Sequence, residues 1–325
     1  MKRLSELLAG TDYTLSGVTP DVKISIPVSD SREAVANSLF ICINGTRRNG
    51  ENYAGDAVSA GAVACISERI LPRLPCAAVP DVRCAAAHIW NNYYNHPSEN
   101  MRLFGITGTS GKTSTSFFLK SILEHSGRKT GLIGSCGCYI GQRRLNIPGG
   151  ETADIPAQMT TPDPKWLYGA LSEMRNEGVT DAVIEVSSHA VYQHKTDALR
   201  FDYGIYTNLS PEHLDLHRDM DSYFAVKKTF LDNCDTVIYN RDDAYSDRFG
   251  KEKCYGYGAD NAKAVRCDLS GVAYTLKYKD KTVCISTPVS GSFNLYNTMA
   301  AAAAAMCAGV VPQQPPRISA PHRAI

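Results

Sequence analysis

Gly105-Ile-Thr-Gly108-Thr-Ser-Gly111-Lys112-Thr113-Ser114 lies between a short apolar run, Leu103-Phe-Gly-Ile106, and a stretch from Thr113 to His125 in which Phe117, Leu119, Ile122 and Leu123 recur at helical spacing. Strand, glycine turn and helix in that order put the turn at the mouth of an α/β unit. Glycines let the backbone close around a phosphate, and the amides of the helix's first turn point at its oxygens. Lys112 offers an ammonium to terminal phosphates, and the Thr113 hydroxyl is a hard ligand suited to Mg²⁺. The spacing departs from the ordinary P-loop, because Ile106 stands five before Gly111 where a glycine is usual. A glycine turn that binds nothing does not account for Gly-Lys-Thr at a helix start. The stretch is read as an ATP site, with Gly108, Thr109, Ser110, Gly111, Lys112, Thr113 and Ser114 as its phosphate-binding residues.

Outward from this loop the pattern repeats. Lys129–Ile133, Asp181–Val186, Phe201–Tyr206 and Thr236–Tyr239 read as apolar strands separated by helix-length segments, which predicts a largely parallel sheet with covered faces. Tyr274–Ile285 reads as an antiparallel hairpin turning at Lys279-Asp280-Lys281, and the alanine-rich Asn297–Cys307 as a helix. Before the loop, Val22–Val28 alternates like a half-buried strand, and Ser38–Asn44 is a buried strand ending at Gly45. Ala54–Ala60 is a helix stopped at Gly61, Ala62–Ile66 a strand, and Asp81–Tyr94 a helix. The polar segment 95–100 then marks a boundary. The expected organisation is a small N-terminal α/β domain (1–98), a central P-loop-type ATPase domain with a mostly parallel sheet (99–310), and a proline-rich remnant or linker (311–325).

Composition narrows the function classes. With 34 basic residues against 33 acidic ones, net charge +1, no basic excess argues for nucleic-acid or membrane-surface binding. No apolar run approaches the ~18 residues of a membrane span. The start, Met1-Lys2-Arg3-Leu4-Ser5-Glu6, is broken too soon by Glu6, Gly10 and Asp12 for a signal peptide, so the chain is read as cytoplasmic. Eleven scattered cysteines without a CxxC pair read as reduced thiols used as small hydrophobes, the Cys136-Gly-Cys138 pair included.

Two further stretches carry chemistry. Glu185, in Val183-Ile-Glu185-Val-Ser-Ser-His189, ends an apolar strand where open α/β sheets gather ligands. A carboxylate there suits a divalent cation, and equally a pairing with a lysine. Asn208-Leu-Ser-Pro-Glu-His213-Leu-Asp215-Leu-His217 likewise follows a strand and bunches histidines with acids, a spacing that by itself decides nothing.

Together, Gly108–Thr113, Glu185–His189, Asn208–Asp215 and Tyr223-Phe-Ala-Val-Lys227 stand in the order and approximate spacing of the Mur ligases, and the chain resembles that family from Ser29 to Cys307. The resemblance implies ATP-dependent amide formation with Mg²⁺ as cofactor. Its substrates would be UDP-N-acetylmuramoyl-L-alanyl-D-glutamate and a diamino acid, meso-diaminopimelate or L-lysine, joined through an acyl phosphate by a protein that acts as a monomer. It implies catalytic roles for Lys112, Glu185, His213 and Lys227, and a metal site of Thr113, Glu185, His213 and a carbamylated Lys227. Spacing alone would make Lys227 a surface lysine like Lys228. Asn208, Asn294 and Asn297 would contact the nucleotide, although Asn294 could equally cap a helix.

For the sugar substrate, the resemblance implies Ser31, Thr46, Arg47 and Arg48 at the uridine diphosphate, and Thr160, Thr161, Ser187, Gln193 and Lys195 at the muramoyl dipeptide. A solvated loop is the plain alternative for the two arginines. Lys195 stands where the family often has arginine, which gives up a bidentate carboxylate contact. The family also carries a C-terminal Rossmann-like domain, while about fifteen residues follow Val310. That domain is expected to be absent, and the chain as given to bind both ligands with little turnover. A binding protein and a folylpolyglutamate-synthase-like ligase are the competing readings; the separate N-terminal domain argues against the latter.

Overall fold

The computed structural model describes residues 1–45, 48–145, 159–212, 218–250, 252–278 and 280–312. Thr46, Arg47 and His213 lie outside the described residues, as do Lys279 of the expected hairpin turn and 313–325 of the expected linker. The chain divides into two compact units.

The first comprises Met1–Pro97 together with Asp163–Gly169 and Gln193–Leu199. Its strands are β1 (Lys2–Arg3), β2 (Thr14–Ser16), β3 (Lys23–Ile24), β4 (Pro27–Val28), β5 (Ser38–Ile41), β6 (Ala62–Ser67) and β7 (Cys76–Ala78), and its helices α1 (Leu4–Leu7), α2 (Ala54–Ser59) and α3 (Val82–Tyr93). A five-stranded sheet runs β2-β7-β6-β5-β4, with only the β2–β7 pair antiparallel. The single strand expected over Val22–Val28 is two. Lys23–Ile24 pairs with β1, and the chain then changes partner to lay Pro27–Val28 along β5. Proline has no N–H to continue a ladder on both sides. Phe40, Cys42, Cys65, Cys76, Val28 and Ala57 fill the core, these three thiols packed as small hydrophobes, whereas Cys267 and Cys284 of the second unit are exposed, against that reading of the cysteines. Asp81 caps α3, its carboxylate accepting from the amides of Arg83 and Cys84.

The second unit holds the remaining described residues. β8 (Arg102–Thr107), β9 (Thr130–Gly134), β10 (Gly137–Ile140), β11 (Arg143–Arg144), β12 (Asp181–Glu185), β13 (Phe201–Tyr206), β14 (Cys234–Asn240) and β15 (Cys254–Tyr257) form one sheet in the order β11-β10-β9-β12-β8-β13-β14-β15. Its six strands from β9 to β15 are parallel, and β10 and β11 extend one edge antiparallel. α4 (Lys112–His125), α5 (Pro164–Asn176), α6 (Ser188–Tyr192), α7 (Met220–Asp232) and α8 (Phe293–Cys307) connect and cover it, α5 starting within the first unit. The expected hairpin is β17 (Gly271–Tyr278) with β18 (Lys281–Thr287), joined by a third strand, β16 (Ala262–Asp268), whose mostly exposed residues gave no pattern to read. Ala300–Ala305 are fully buried in a cluster with Phe118 and Leu119 of α4 and Val272, Leu276 and Ile285 of the hairpin. Alanine is the best helix former, and its small side chain lets α8 lie close to α4. Among the described residues no helix is long and apolar enough to cross a membrane.

Candidate active site

β8 leads into the glycine loop and α4 leads out of it. Gly111 sits at the helix's N-cap with φ +84°, and a Cβ there would fall 2.3 Å from Asn297 Oδ1, so the position demands glycine twice over. Lys112 opens α4 and folds back over its own loop, Nζ donating to the carbonyls of Gly108 at 2.9 Å and Thr109 at 2.8 Å. It is not the exposed loop lysine that a glycine-rich surface turn suggests, and burial lowers its pKa. Asn208 braces the loop from the end of β13. Its Oδ1 accepts from the Ser110 amide at 3.0 Å, and its Nδ2 donates to the Ser110 carbonyl at 3.1 Å.

Glu185 is fully buried at the C-terminal end of β12. The Thr113 hydroxyl donates to Oε2 at 2.9 Å, the Ser135 hydroxyl at 3.1 Å, and the Ser135 amide reaches Oε1 at 3.3 Å. Hydroxyls, where a lysine was the alternative, surround this carboxylate. Burial still raises its pKa against those bonds. Thr161 donates to the Glu185 carbonyl at 2.8 Å and accepts from the Ser187 amide at 3.1 Å, while Thr160 accepts from Ser135 at 3.2 Å. The three are gathered about one strand end.

Lys227 corrects the surface alternative. Its side chain on α7 is fully buried, Nζ donating to Gly108 O at 3.0 Å and lying 4.5 Å from the centre of the Tyr223 ring. Desolvation, reinforced by nearby Lys112, lowers its pKa to about 7. Asn294 does not cap α8, which begins at Phe293 after Ser292. It is buried as the second residue of the helix, donating to the Ser290 carbonyl at 2.7 Å and accepting from Asn297 Nδ2 at 3.1 Å.

A cavity of about 380 Å³ opens beside the loop, lined by Ser110, Ser114, Asn208, Asp242, Tyr296 and Asn297 among others. Asp242 and Tyr296, hydrogen-bonded at 2.9 Å, were not singled out from the sequence. Asp242 follows the end of β14, and the rule that ligands gather at strand ends could have found it. In the first unit a second cavity, about 420 Å³, is lined by Asp30, Ser31, Arg32, Phe40, Arg48 and Tyr53 among others. The Arg32 guanidinium donates to Asp30 and holds that carboxyl down at about 2. Gln193 and Lys195 also belong to the first unit, Lys195 paired with Asp163 at 2.8 Å.

Two glycines, helix-start amides and an ammonium make a cradle for phosphates. The Thr113 hydroxyl and Glu185 carboxylate, 2.9 Å apart beside the glycine loop, are hard oxygen donors of the kind that suit a Mg²⁺ completing its shell with phosphate and water. Among the described residues no three His, Cys, Asp or Glu side chains cluster tightly enough to hold a metal alone.

Fold and site define an α/β protein of the phosphate-loop class. Residues 106–305 match the Mur ligase middle domain, and the chain belongs to the Mur ligase family. It is 38% identical over 320 residues to the UDP-N-acetylmuramoyl-L-alanyl-D-glutamate--2,6-diaminopimelate ligase of Caldanaerobacter subterraneus subsp. tengcongensis, covering 95% of this chain and 64% of that one. The Clostridioides difficile ligase of the same name is 33% identical over 322 residues, with the same coverage. The chain thus spans about 64% of the length of these relatives. A solved ligase of that name shares the fold with a TM-score of 0.79 at 22% identity, over 95% of this chain and 64% of the other. A MurF ligase from Thermotoga maritima, solved in complex with ADP, has a TM-score of 0.58 at 17% identity over 91% and 66%.

Proposed function

We propose that the chain is the substrate- and ATP-binding part of an ATP-dependent ligase that adds diaminopimelate to UDP-N-acetylmuramoyl-L-alanyl-D-glutamate. The observation that carries this is Lys112 and the Thr113–Glu185 pair at the mouth of a parallel sheet, in a chain 38% identical to a ligase of that name. The D-glutamate carboxylate attacks the γ-phosphoryl of ATP, and the amino group of the incoming residue displaces phosphate from the acyl phosphate.

The protein supplies position and charge rather than a nucleophile. Lys112 moves from its own carbonyls to the phosphate oxygens, and the amides of α4's first turn face the same oxygens. Asn208 keeps the loop in shape, and Asn297, bonded to the buried Asn294 behind it, would form part of a wall for the nucleoside. Mg²⁺, held by Thr113 and Glu185 with His213, would offset phosphate charge when bound. Lys227 would carry a carbamate beside Gly108. Ser31, Thr46, Arg47 and Arg48 would contact the uridine diphosphate, and Thr160, Thr161, Ser187, Gln193 and Lys195 the dipeptide. A coupled assay for phosphate release, with UDP-muramoyl dipeptide, ATP and diaminopimelate or lysine, tests the reading on the protein extended to its relatives' full length. Tripeptide formed with neither diamino acid would sink it.

A further inference from the structure

The cavity beside the glycine loop spans the ends of neighbouring strands. β8 leads to Ser110 and Gly111; two strands along the sheet, β14 brings Asn240 and, just past it, Asp242 and Asp243. At the usual strand spacing, that end lies roughly 10 Å from the mouth of β8. Most polar groups there are engaged within the protein. Asn240 accepts the Asp242 amide on Oδ1 and donates from Nδ2 to the Thr207 carbonyl, both at 3.0 Å. Asp243 accepts the Tyr206 hydroxyl at 2.7 Å and the Tyr245 amide at 3.0 Å on Oδ1, and the Leu209 amide at 3.0 Å on Oδ2. Asp242 differs. Both of its carboxylate bonds fall on Oδ2, from the Tyr296 hydroxyl at 2.9 Å and the Ala259 amide at 2.7 Å, and among the described residues none reaches Oδ1. Glycine at 258 leaves Oδ1 uncovered, since a Cβ there would fall 2.8 Å from it.

Having given its proton to Asp242, the Tyr296 hydroxyl can only accept from a ligand. This end of the cavity therefore presents two acceptors, one of them charged. It repels a triphosphate and favours the uncharged end of a nucleotide, provided that end carries a donor. The one N–H donor that the base of ATP carries is its 6-amino group.

We infer that Asp242, oriented by Tyr296, is a specificity-determining residue that accepts a hydrogen bond from the 6-amino group of the nucleotide's base. This rests on the nucleotide site proposed above. The test is calorimetry on the chain with ATP and with purine riboside triphosphate, which lacks only that amino group. UDP-N-acetylmuramoyl-L-alanyl-D-glutamate serves as a control for the fold.

Wild type should bind ATP about tenfold more tightly than the deaminated analogue, the worth of one hydrogen bond to a charged group. Asp242→Asn should weaken ATP and leave the analogue unchanged, bringing the ratio close to one. Tyr296→Phe keeps the carboxylate without the hydroxyl that orients it; it should lower the ratio in the same direction, and carries the test if the asparagine variant does not fold. A ratio unchanged from wild type in the folded variant overturns the inference. So does an equal loss of both nucleotides with the UDP ligand still bound, which would put the carboxylate at the ribose. A wild-type chain that binds neither nucleotide overturns the proposed nucleotide site itself, and is distinguishable from both.

Discussion

Lys112 and Lys227, 115 positions apart in the chain, donate to the same acceptor, the carbonyl oxygen of Gly108, at 2.9 and 3.0 Å. Burial is the main reason that Lys227 is the strongly depressed lysine, with repulsion from Lys112 second, while burial lowers Lys112. One carbonyl is a poor match for two cations. Arriving phosphates would give Lys112 better acceptors and relieve the crowding.

Lys112→Ala should lower phosphoryl transfer by a factor on the order of 10²–10³, the usual effect of removing one preorganised charge stabiliser. Its bonds are to Gly108 and Thr109 of its own loop, so the fold should stand. Acyl-phosphate formation and the circular dichroism melt check both halves. Wild-type transfer would return the loop to a turn without a ligand.

Lys227→Met should change how stability responds to pH. The Lys227 amine titrates near 7 in the folded chain and at the ordinary 10.5 when unfolded. Between those values the unfolded chain holds more protons, so wild-type stability rises with pH across the window. Below it, the whole cost of burying an ammonium is carried. Methionine carries no such cost. In bicarbonate-free buffer the variant should melt above wild type near about pH 6, the advantage shrinking toward about pH 10. A gap that is flat with pH would show that Lys227 titrates as an ordinary lysine.

Gly134→Ala addresses the carboxylate. A Cβ at Gly134 would fall 2.1 Å from Glu185 Oε1, and Glu185 sits on a strand fixed by β8 and β9 on its two sides. Either the backbone shifts, at about 1–3 kcal/mol, or the carboxylate turns away from Thr113. We expect a lower melting temperature and a loss of the Mg²⁺-dependent part of ATP-analogue binding. Titrations with and without Mg²⁺ that match wild type would show the glycine to be incidental.

Arg48→Ala should cost about 1.5–3 kcal/mol of UDP-ligand binding, the worth of a charge-assisted contact to a diphosphate. Arg48 lines the cavity of the first unit, so ATP-analogue affinity should not change. Calorimetry with both ligands decides it, and unchanged UDP binding would make Arg48 a solvated loop residue.

The central sheet was readable because β8, β12, β13 and β14 are short apolar runs flanked by turn residues, the signal that buried parallel strands leave. β11, only Arg143–Arg144, and the exposed β16 leave no such signal. Glu185 could be placed at a strand end from its neighbours alone. Lys227 could not be told from Lys228 without the resemblance, since only packing decides which lysine of α7 turns inward. The membership of Asp163–Gly169 and Gln193–Leu199 in the first unit was illegible, because linear reading assigns a segment to the domain that flanks it.

That interleaving bears on how the molecule is made. Domains commonly fold as units, N-terminal first, as the chain leaves the ribosome. Here the sheet and core of the first unit are complete once Pro97 has emerged, but two pieces that belong to it are still unsynthesised, the last ending at Leu199. By then β8, α4, β9 and β12 are already out. The first unit's last pieces therefore join it only after much of the second unit has been made, and a fragment cut at residue 97 would lack Asp163–Gly169 and Gln193–Leu199.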